Sequence, residues 1–483
     1  RGDDSSEIAM TQYAMEPIAM LGLLKMDFLG LTSLTILDQA MKTVEATRGI
    51  KIRLNDLPLD DQLTFDLLSS GKTTDVFQLE SPGMQRYIKE LKPTSLTDIS
   101  AMIALYRPGP MEHIDTFINA KYGRVPIRYP HPSLAEILEE TYGVIVYQDQ
   151  VLRILQAFAG YTLGQADIVR KAMGKKILEL MQPERQRFIQ GATDRGFDSG
   201  LAEEVFNLIE PFAGYAFNKA HSISYALIAY WTAYFKARYP IEYMTAVLNC
   251  RQNQSDKAVI ALNECFRLGI PILPPDVSLS DTKFTIDDDS KGRASIRFGL
   301  AIVKNVGEEA VKPIIQARND KGSYASMEDF CRRVSLSGLN RRALESLVKV
   351  GAFDSLGTRN AILGSLDSIL SLAQKEAHMR LTGQSSMFDI LGAKEAPSPV
   401  ANISADDQTD LPKEKVAWER ELLGVALSDN PLLEIVKHNS TGAISSRDEL
   451  NDDMEGKQIT VLGQLGSLSE RFTANHRPYI IGS

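Results

Sequence analysis

Residues 159–176 read AGYTLGQADIVRKAMGKK, and their last nine positions hold four cations without a carboxylate, in a chain of formal net charge -9. The cations are Arg170, Lys171, Lys175 and Lys176. If the segment is helical from Gln165 onward, Lys171 and Lys175 lie one turn apart with Arg170 beside them. So many like charges repel each other unless an anion lies among them, and polyphosphate is the candidate. A solvated basic face is the alternative interpretation.

The charge of the middle of the chain differs from that of the rest. Residues 101–240 contain 15 Lys and Arg against 14 Asp and Glu, and residues 211–239 contain no acidic residue but do contain Lys219, Lys236 and Arg238. Nucleic-acid binding depends on where the cations lie rather than on the total charge. The net negative charge of this chain therefore does not exclude nucleic-acid binding.

Length and composition restrict the class of protein. A chain of 483 residues is too long for one core and predicts about three or four domains. No apolar run approaches the roughly 18 residues of a membrane span. The three cysteines lie far apart without a CxxC pair, which argues against a zinc site or a disulfide framework and fits a reducing compartment. The chain opens with Arg1, and the absence of a charged-then-apolar leader predicts no secretion signal.

Hydrophobic periodicity predicts a mainly helical chain with small β elements. The apolar run LGLLKMDFLGL at 21–31 predicts a buried strand, and residues 82–91 are predicted to form a helix. A β-hairpin is predicted over 283–286 and 294–298, a helix, turn and helix over 299–318, and strands at 458–465 and 478–481. Residues 391–412, which are rich in Pro, Ala, Ser and Asp, read as a linker.

Five segments, in this order and spacing, resemble the C family of replicative DNA polymerases, to which the bacterial DNA polymerase III alpha subunit belongs. They are LLKMDFLGL, ALYRPGPM, GVIVYQDQV, GYTLGQADIVRKAMGKK and FAGYAFNKAHSISYALIAY. The likeness covers essentially the whole chain and implies that the N-terminal portion of such a polymerase is not part of it.

The resemblance implies a multidomain, mainly α fold with small β elements (α+β). Residues 1–33 would be the C-terminal piece of the palm and 34–275 the helical fingers. Residues 276–390 would hold the β-hairpin and helix-hairpin-helix region with a clamp-binding peptide, 391–455 a linker and short helix, and 456–483 the start of a truncated OB-fold.

Asp27, between Met26 and Phe28, matches the third palm carboxylate that holds magnesium in this family. On the sequence alone it is equally interpretable as a capping or surface acid. Phosphoryl transfer through two metals needs several hard oxygen ligands. The resemblance places the other two acids in an earlier palm strand that this chain does not contain. We therefore expect a two-metal Mg²⁺ site shared with residues outside the chain, and a chain that is inactive alone.

Six cationic side chains and one histidine are predicted to bind the incoming nucleotide. The basic segment matches the fingers segment that faces the triphosphate, and Arg170 is the strongest candidate because its planar fork can hold two phosphate oxygens. Arg107 lies on the rigid turn YRPGP, where an alternative role is to satisfy loop carbonyls. Lys219 and His221 precede a buried helix whose N-terminus suits phosphate, although a lone His is also interpretable as structural. The resemblance adds Tyr142, Tyr147 and Gln148 to the cleft without separating contact from packing.

Two further segments predict partners. Lys304, Asn305 and Gly307 lie in a turn that resembles a helix-hairpin-helix, whose amides bind a DNA phosphate without reading sequence; a plain αα-hairpin is the alternative. Gln384, Met387 and Phe388 resemble the short peptide by which this family binds the sliding clamp, and the alternative is an anchor folded on the preceding helix.

The resemblance implies template-directed DNA synthesis in chromosome replication, by nucleotidyl transfer from a dNTP to a primer 3′ end. The expected partners are primer-template DNA, dNTPs, the sliding clamp and other replicase subunits, with no membrane, in the cytoplasm at the nucleoid. The alternative is a non-catalytic DNA-binding or scaffold subunit of a replication complex. Two carboxylates encoded upstream of Arg1 would favour the enzyme.

Overall fold

The computed structural model describes residues 11–24, 26, 29–174, 178–213, 216–252, 254–335, 338–382, 410–428, 456, 458, 468–472 and 478–482. Most of these residues are helical, and the strands form two small sheets. The expectation of a mainly helical chain with small β elements is confirmed. Among the described residues, no helix is both long and apolar enough to cross a bilayer.

The α-helices are numbered in chain order: α1 Met15–Met20, α2 Thr32–Arg48, α3 Gln62–Ser69, α4 Pro82–Leu91, α5 Leu96–Leu105, α6 Ile114–Lys121, α7 Ala135–Leu138, α8 Gln148–Ala159, α9 Leu163–Gly174, α10 Leu178–Asp194, α11 Ser199–Ala213, α12 Lys219–Arg238, α13 Pro240–Arg251, α14 Ser255–Arg267, α15 Glu308–Lys321, α16 Met327–Arg333, α17 Arg341–Lys349, α18 Arg359–Gly364, α19 Leu366–Thr382 and α20 Pro412–Leu423. Short 3₁₀ turns lie at Leu54–Asp56, Pro110–His113, Pro132–Leu134, Glu139–Thr141 and Leu300–Ile302.

The strands are β1 Ile272–Leu273, β2 Thr285–Asp288, β3 Ala294–Arg297, β4 Leu468–Phe472 and β5 Pro478–Gly482. The first sheet has the order β1-β3-β2, in which β2 and β3 form an antiparallel hairpin and β1 runs parallel to β3. The hairpin was predicted, whereas β1 was not. Strands β4 and β5 pair antiparallel. The strand predicted at 478–481 is therefore confirmed, and most of the one predicted at 458–465 lies outside the described residues.

The apolar side chains divide into three cores. The first core is built by α3 to α6, by the extended residues 144–147 and by one face of α12. The second core is built by α7 to α11. The third core joins α2, the other face of α12, α13 to α19 and the first sheet, and α20 adds Leu422 and Leu423. The predicted boundary at 275–276 stays a prediction, although residues from both sides of it share the third core.

Helix α12 is apolar on nearly all sides because it separates two cores. Ala226 and Tyr230 pack in the first core, while Ile228 and Phe235 pack in the third. A helix that is buried on opposite faces needs no polar stripe, which is why its sequence is hydrophobic nearly all round. Its placement fixes the residues at its N-terminus relative to both cores.

The buried strand predicted at 21–31 is wrong for the residues of this stretch that the structure describes. Residues 21–24, 26 and 29–31 are not in a strand, and Leu21, Leu24 and Leu29 are exposed. A strand is stable only when a neighbour takes its backbone hydrogen bonds. None of the described strands runs beside this segment.

Candidate functional site

The start of α12 is held by a strand-like contact with the start of α8. The Gln148 amide donates to the Phe217 carbonyl and the Phe217 amide donates to the Val146 carbonyl, both at 2.9 Å. One residue further on, the Asn218 side chain caps α12 by accepting from the His221 amide at 3.0 Å. Asn is among the preferred N-cap residues because its side chain satisfies an amide left without a helical partner. The predicted segment around Lys219 is thus anchored by backbone and cap.

Arg107 joins this segment through an aromatic stack. Its guanidinium carbon lies 3.7 Å from the centre of the Phe217 ring. The His221 ring is 5.5 Å from Phe217 and 4.1 Å from Tyr225, ring centre to ring centre. Partial burial lowers the pKa of Arg107 below the usual arginine value, although the residue as a whole stays exposed. The structure therefore brings together Arg107 and His221, two residues that the sequence predicted separately as nucleotide-binding.

Lys219 lies on the other side of the helix start and faces a carboxylate. Its ammonium is 2.7 Å from both oxygens of Glu140 and 5.5 Å from the centre of the Tyr147 ring. The Tyr147 hydroxyl is 3.0 Å from the Ser100 hydroxyl, which is 2.9 Å from that of Ser222. Burial raises the pKa of Tyr147 to about 12. Tyr147 is thus a neutral, packed support for Lys219.

The other two residues assigned to the cleft lie nearby. Tyr142 has a left-handed backbone with φ 52° and ends the 3₁₀ turn Glu139–Thr141. Its hydroxyl is 3.4 Å from the Asp98 carboxylate, and burial raises its pKa to about 12. Gln148 begins α8 and is half-buried. Tyr142 is therefore tied to α5, and Gln148 to the backbone of the α12 start.

Arg170 belongs to a different core. It lies on α9, whose Ala166 and Val169 are buried in the second core. The guanidinium donates to Asp167 Oδ1 at 2.8 and 3.1 Å, and only 18% of the side chain is exposed. Lys171 is in the same helix, as predicted, while Lys175 and Lys176 lie outside the described residues. The sequence did not anticipate that Arg170 would have an internal carboxylate partner.

The turn predicted at residues 304–307 is present, and it contacts α20, which the sequence did not predict. Asn305 has φ 71° and its side-chain amide donates to the Ser346 hydroxyl at 3.1 Å. The Lys304 amide donates to the Leu422 carbonyl of α20 at 3.1 Å, so this amide is engaged within the protein. Lys304 and Gly307 are exposed, and Gly307 precedes α15. The side chain of Lys304 is therefore better placed than its amide to contact a phosphate.

The predicted metal ligand Asp27 and the predicted clamp-binding residues Gln384, Met387 and Phe388 lie outside the described residues. In the described part of the chain, no group of three or more His, Cys, Asp or Glu side chains is arranged to hold a metal ion.

Sequence reasoning missed Glu140 and Phe217, the two side chains that hold Lys219 and Arg107. Phe217 could have been singled out, because it stands two residues before Lys219 in the segment FNKAH. Glu140 carried no comparable signal, since it is 79 residues from Lys219 and sits among other acids.

Two models of protein families match parts of the chain. A model described as the bacterial DNA polymerase III alpha subunit finger domain matches residues 33–196, and a helix-hairpin-helix motif model matches residues 269–363. DNA polymerase III subunit alpha of Thermus aquaticus is 43% identical over 460 aligned positions, covering 94% of this chain and 37% of that protein. The same subunit of Escherichia coli K12 is 40% identical over 475 aligned positions, covering 95% of this chain and 40% of that protein.

A third relative extends the match. DNA polymerase III subunit alpha of Saccharopolyspora erythraea is 41% identical over 501 aligned positions, covering 99% of this chain and 41% of that protein. The chain thus spans about two fifths of the length of the curated relatives it matches. The chain belongs to the family of bacterial DNA polymerase III alpha subunits, of which it contains the finger domain and the helix-hairpin-helix motif.

Proposed function

We propose that this chain contributes to template-directed DNA synthesis, the transfer of a nucleotide from a dNTP to a primer 3′ end during chromosome replication. It would supply the fingers, one palm carboxylate, and parts that bind DNA and the sliding clamp. The observation that carries the proposal is the convergence of Arg107, Lys219 and His221 at the start of α12. The family membership supports the same reaction.

The chemistry of this cluster suits a triphosphate. Cations that are already positioned stabilise the negative charge that develops on the phosphates, and they need little rearrangement during the reaction. The guanidinium of Arg107 is oriented by its stack on Phe217, and the ammonium of Lys219 by Tyr147 and Glu140. Arg170 of α9 would add a bidentate hydrogen-bond donor once its ion pair with Asp167 breaks.

Magnesium is the cofactor that the family implies, and it would supply positive charge that neutralises the phosphates. Asp27 is the proposed ligand of this chain, and the other ligands would lie outside it. The described residues contain no group of three or more His, Cys, Asp or Glu side chains that would hold the ion.

The second candidate is a non-catalytic DNA-binding role, favoured by the exposed Lys304 beside the hairpin turn. Such a role needs only contacts to DNA phosphates.

We propose that the helix-hairpin-helix region is the duplex-binding part of the polymerase. Its protein partners would be the sliding clamp and other replicase subunits, at the nucleoid in the cytoplasm.

Steady-state incorporation by a full-length alpha subunit carrying this sequence tests the proposal. Arg107→Ala and Lys219→Ala should each raise the KM for dNTP about 10-fold or more, because each removes a charge-assisted contact to phosphate. Lys257→Ala, an exposed lysine of α14, is the matched control. An unchanged KM in both cluster variants would contradict the assignment.

The chain of 483 residues alone should bind primed DNA but not extend it, because one palm carboxylate cannot hold two metals. Efficient incorporation by the isolated chain would contradict this expectation. Binding without extension by the full-length subunit as well would favour the second candidate.

A further inference from the structure

We propose that Glu140 is a counter-anion that occupies the phosphate position of Lys219 until a nucleotide displaces it. This inference rests on the proposed role of Lys219 in nucleotide binding and assigns a specificity-determining role to a residue outside the predicted site. Glu140 would make the site selective for ligands that carry more charge than one carboxylate.

The geometry of the pair supports the inference. Both oxygens of Glu140 lie 2.7 Å from the single ammonium of Lys219, as two phosphate oxygens would. Lys219 is the first residue of α12, and a helix N-terminus attracts an anion through its unpaired amides and dipole. Glu140 therefore lies where the local electrostatics favour negative charge, whether it comes from the protein or from a ligand.

The backbone of Glu140 is held in place by its neighbours, whereas its carboxylate is exposed to solvent. The next residue, Thr141, is buried, and its hydroxyl accepts from the side-chain amide of Gln150 at 2.8 Å. These contacts fix the 3₁₀ turn against α8. The carboxylate itself stays in contact with water, since 35% of the Glu140 side chain and 35% of the Lys219 side chain are exposed. A pair of this exposure is weak enough for a polyphosphate to replace it.

Competition of this kind has two consequences. A triphosphate brings several negative charges to Lys219 and Arg107 and displaces Glu140, whereas a weaker anion does not. When pyrophosphate leaves, the Glu140–Lys219 pair re-forms and opposes its return. Replacing Glu140 with a neutral group should therefore tighten the binding of all phosphate ligands and weaken the discrimination between them.

Glu140→Gln in the full-length alpha subunit is the test, because it removes the charge and keeps the shape. An exposed ion pair changes an equilibrium constant by at most about fivefold, so the KM for dNTP should fall about two- to fivefold with kcat little changed. Inhibition by inorganic triphosphate should strengthen by a similar factor, and inhibition by pyrophosphate should strengthen by a larger factor, because the ligand of lower charge is the one that Glu140 excludes more. Glu139→Gln removes the same charge from the same turn and should have a smaller effect on all three constants.

The double variant identifies the mechanism. In Glu140→Gln/Lys219→Ala, the gain from the first change should vanish, because the cation that Glu140 neutralises is gone. If Lys219→Ala raises the KM but Glu140→Gln behaves like Glu139→Gln, the counter-anion role is wrong and the proposed function stands. If Lys219→Ala leaves the KM unchanged, the nucleotide role of Lys219 fails first. A fall in kcat or in melting temperature without a fall in KM would make Glu140 structural and overturn the proposal.

Discussion

Asp75 is a buried carboxylate between two cores. It contacts Arg251 of α13 in an ion pair, yet neither of its oxygens accepts a hydrogen bond of good geometry from the described residues. The other charged groups around it are Lys236 of α12, Glu264 of α14 and Glu80. Burial raises the pKa of Asp75 to about 6 because desolvation outweighs the attraction to Arg251 and Lys236.

This shift predicts a pH-dependent stability. Between the ordinary pKa of 3.8 and about 6, the folded protein keeps a proton on Asp75 that the unfolded chain releases. The stability from this group is therefore fully present below the lower value and is lost as the pH rises through the upper one. Asp75→Asn should remove the dependence, so that wild type loses up to about 3 kcal/mol relative to the variant between pH 4 and 7.

Urea denaturation of both proteins at several pH values in this window measures the difference. Asp66→Asn, at an exposed aspartate of α3, is the control and should show no such trend. A stability gap between wild type and Asp75→Asn that stays constant with pH would contradict the prediction.

Arg107 depends on shape as well as charge. Its flat guanidinium lies 3.7 Å from the centre of the Phe217 ring, a stack that a lysine ammonium does not reproduce. Arg107→Lys should therefore raise the KM for dNTP nearly as much as Arg107→Ala, with little loss of stability because the residue is exposed. Incorporation kinetics of the full-length subunit decide this. If the lysine variant behaves like wild type, charge alone is sufficient at this position.

At the scale of elements, the turn at residues 304–307 presents the exposed cation of Lys304, which we propose contacts a DNA phosphate. Lys304→Ala should weaken duplex binding about equally for unrelated sequences and reduce the slope of log K against log salt by about 0.9, because one phosphate contact is lost. Lys257→Ala is the control, since Lys257 is an exposed lysine of α14 that lies outside this turn. A sequence-dependent loss, or an unchanged slope, would contradict a phosphate contact by Lys304.

The sequence predicts elements well where local signals decide them. Helix α4 was predicted at its observed bounds, because Ser81 caps it and its apolar positions recur at helical spacing. Residues 299–307 were predicted to begin with a helix but form only the 3₁₀ turn Leu300–Ile302. The reason is tertiary: the Leu300 and Ala301 amides donate to the carbonyls of Asp281 and Thr282, and a Cβ on Gly299 would lie 2.4 Å from Lys283.

The site residues that lie in local motifs were predictable from the sequence, and their contact partners were not. Arg107, Lys219 and His221 belong to motifs that can be recognised along the chain, and the fold then brings them together. Their partners could not be predicted, because the contacts of Glu140 with Lys219 and of Phe217 with Arg107 depend on how the segments before α8 and after α5 meet the start of α12. A pattern within one segment contains no information about a carboxylate 79 residues away.

At the scale of the whole molecule, the extended residues 144–147 separate the first and second cores. The side chains of residues 144–146 alternate, as in a strand: Val144 and Val146 enter the first core and Ile145 enters the second, while Tyr147 also packs in the first. The first and third cores, in contrast, share the central part of α12, between Tyr225 and Phe235. The second core, which carries Arg170, is therefore joined to the rest by fewer apolar contacts and should open more independently.

Phe188→Ala tests this independence. Phe188 of α10 is fully buried in the second core, and its removal should destabilise that core by about 3–5 kcal/mol. Hydrogen exchange should then accelerate in α8 to α11 while α15 to α17 keep their protection, because regions with separate cores open as separate units. Phe330→Ala, equally buried in the third core, should give the reverse pattern. Equal acceleration everywhere in either variant would mean that the cores unfold as one, and that Arg170 moves only with the whole protein.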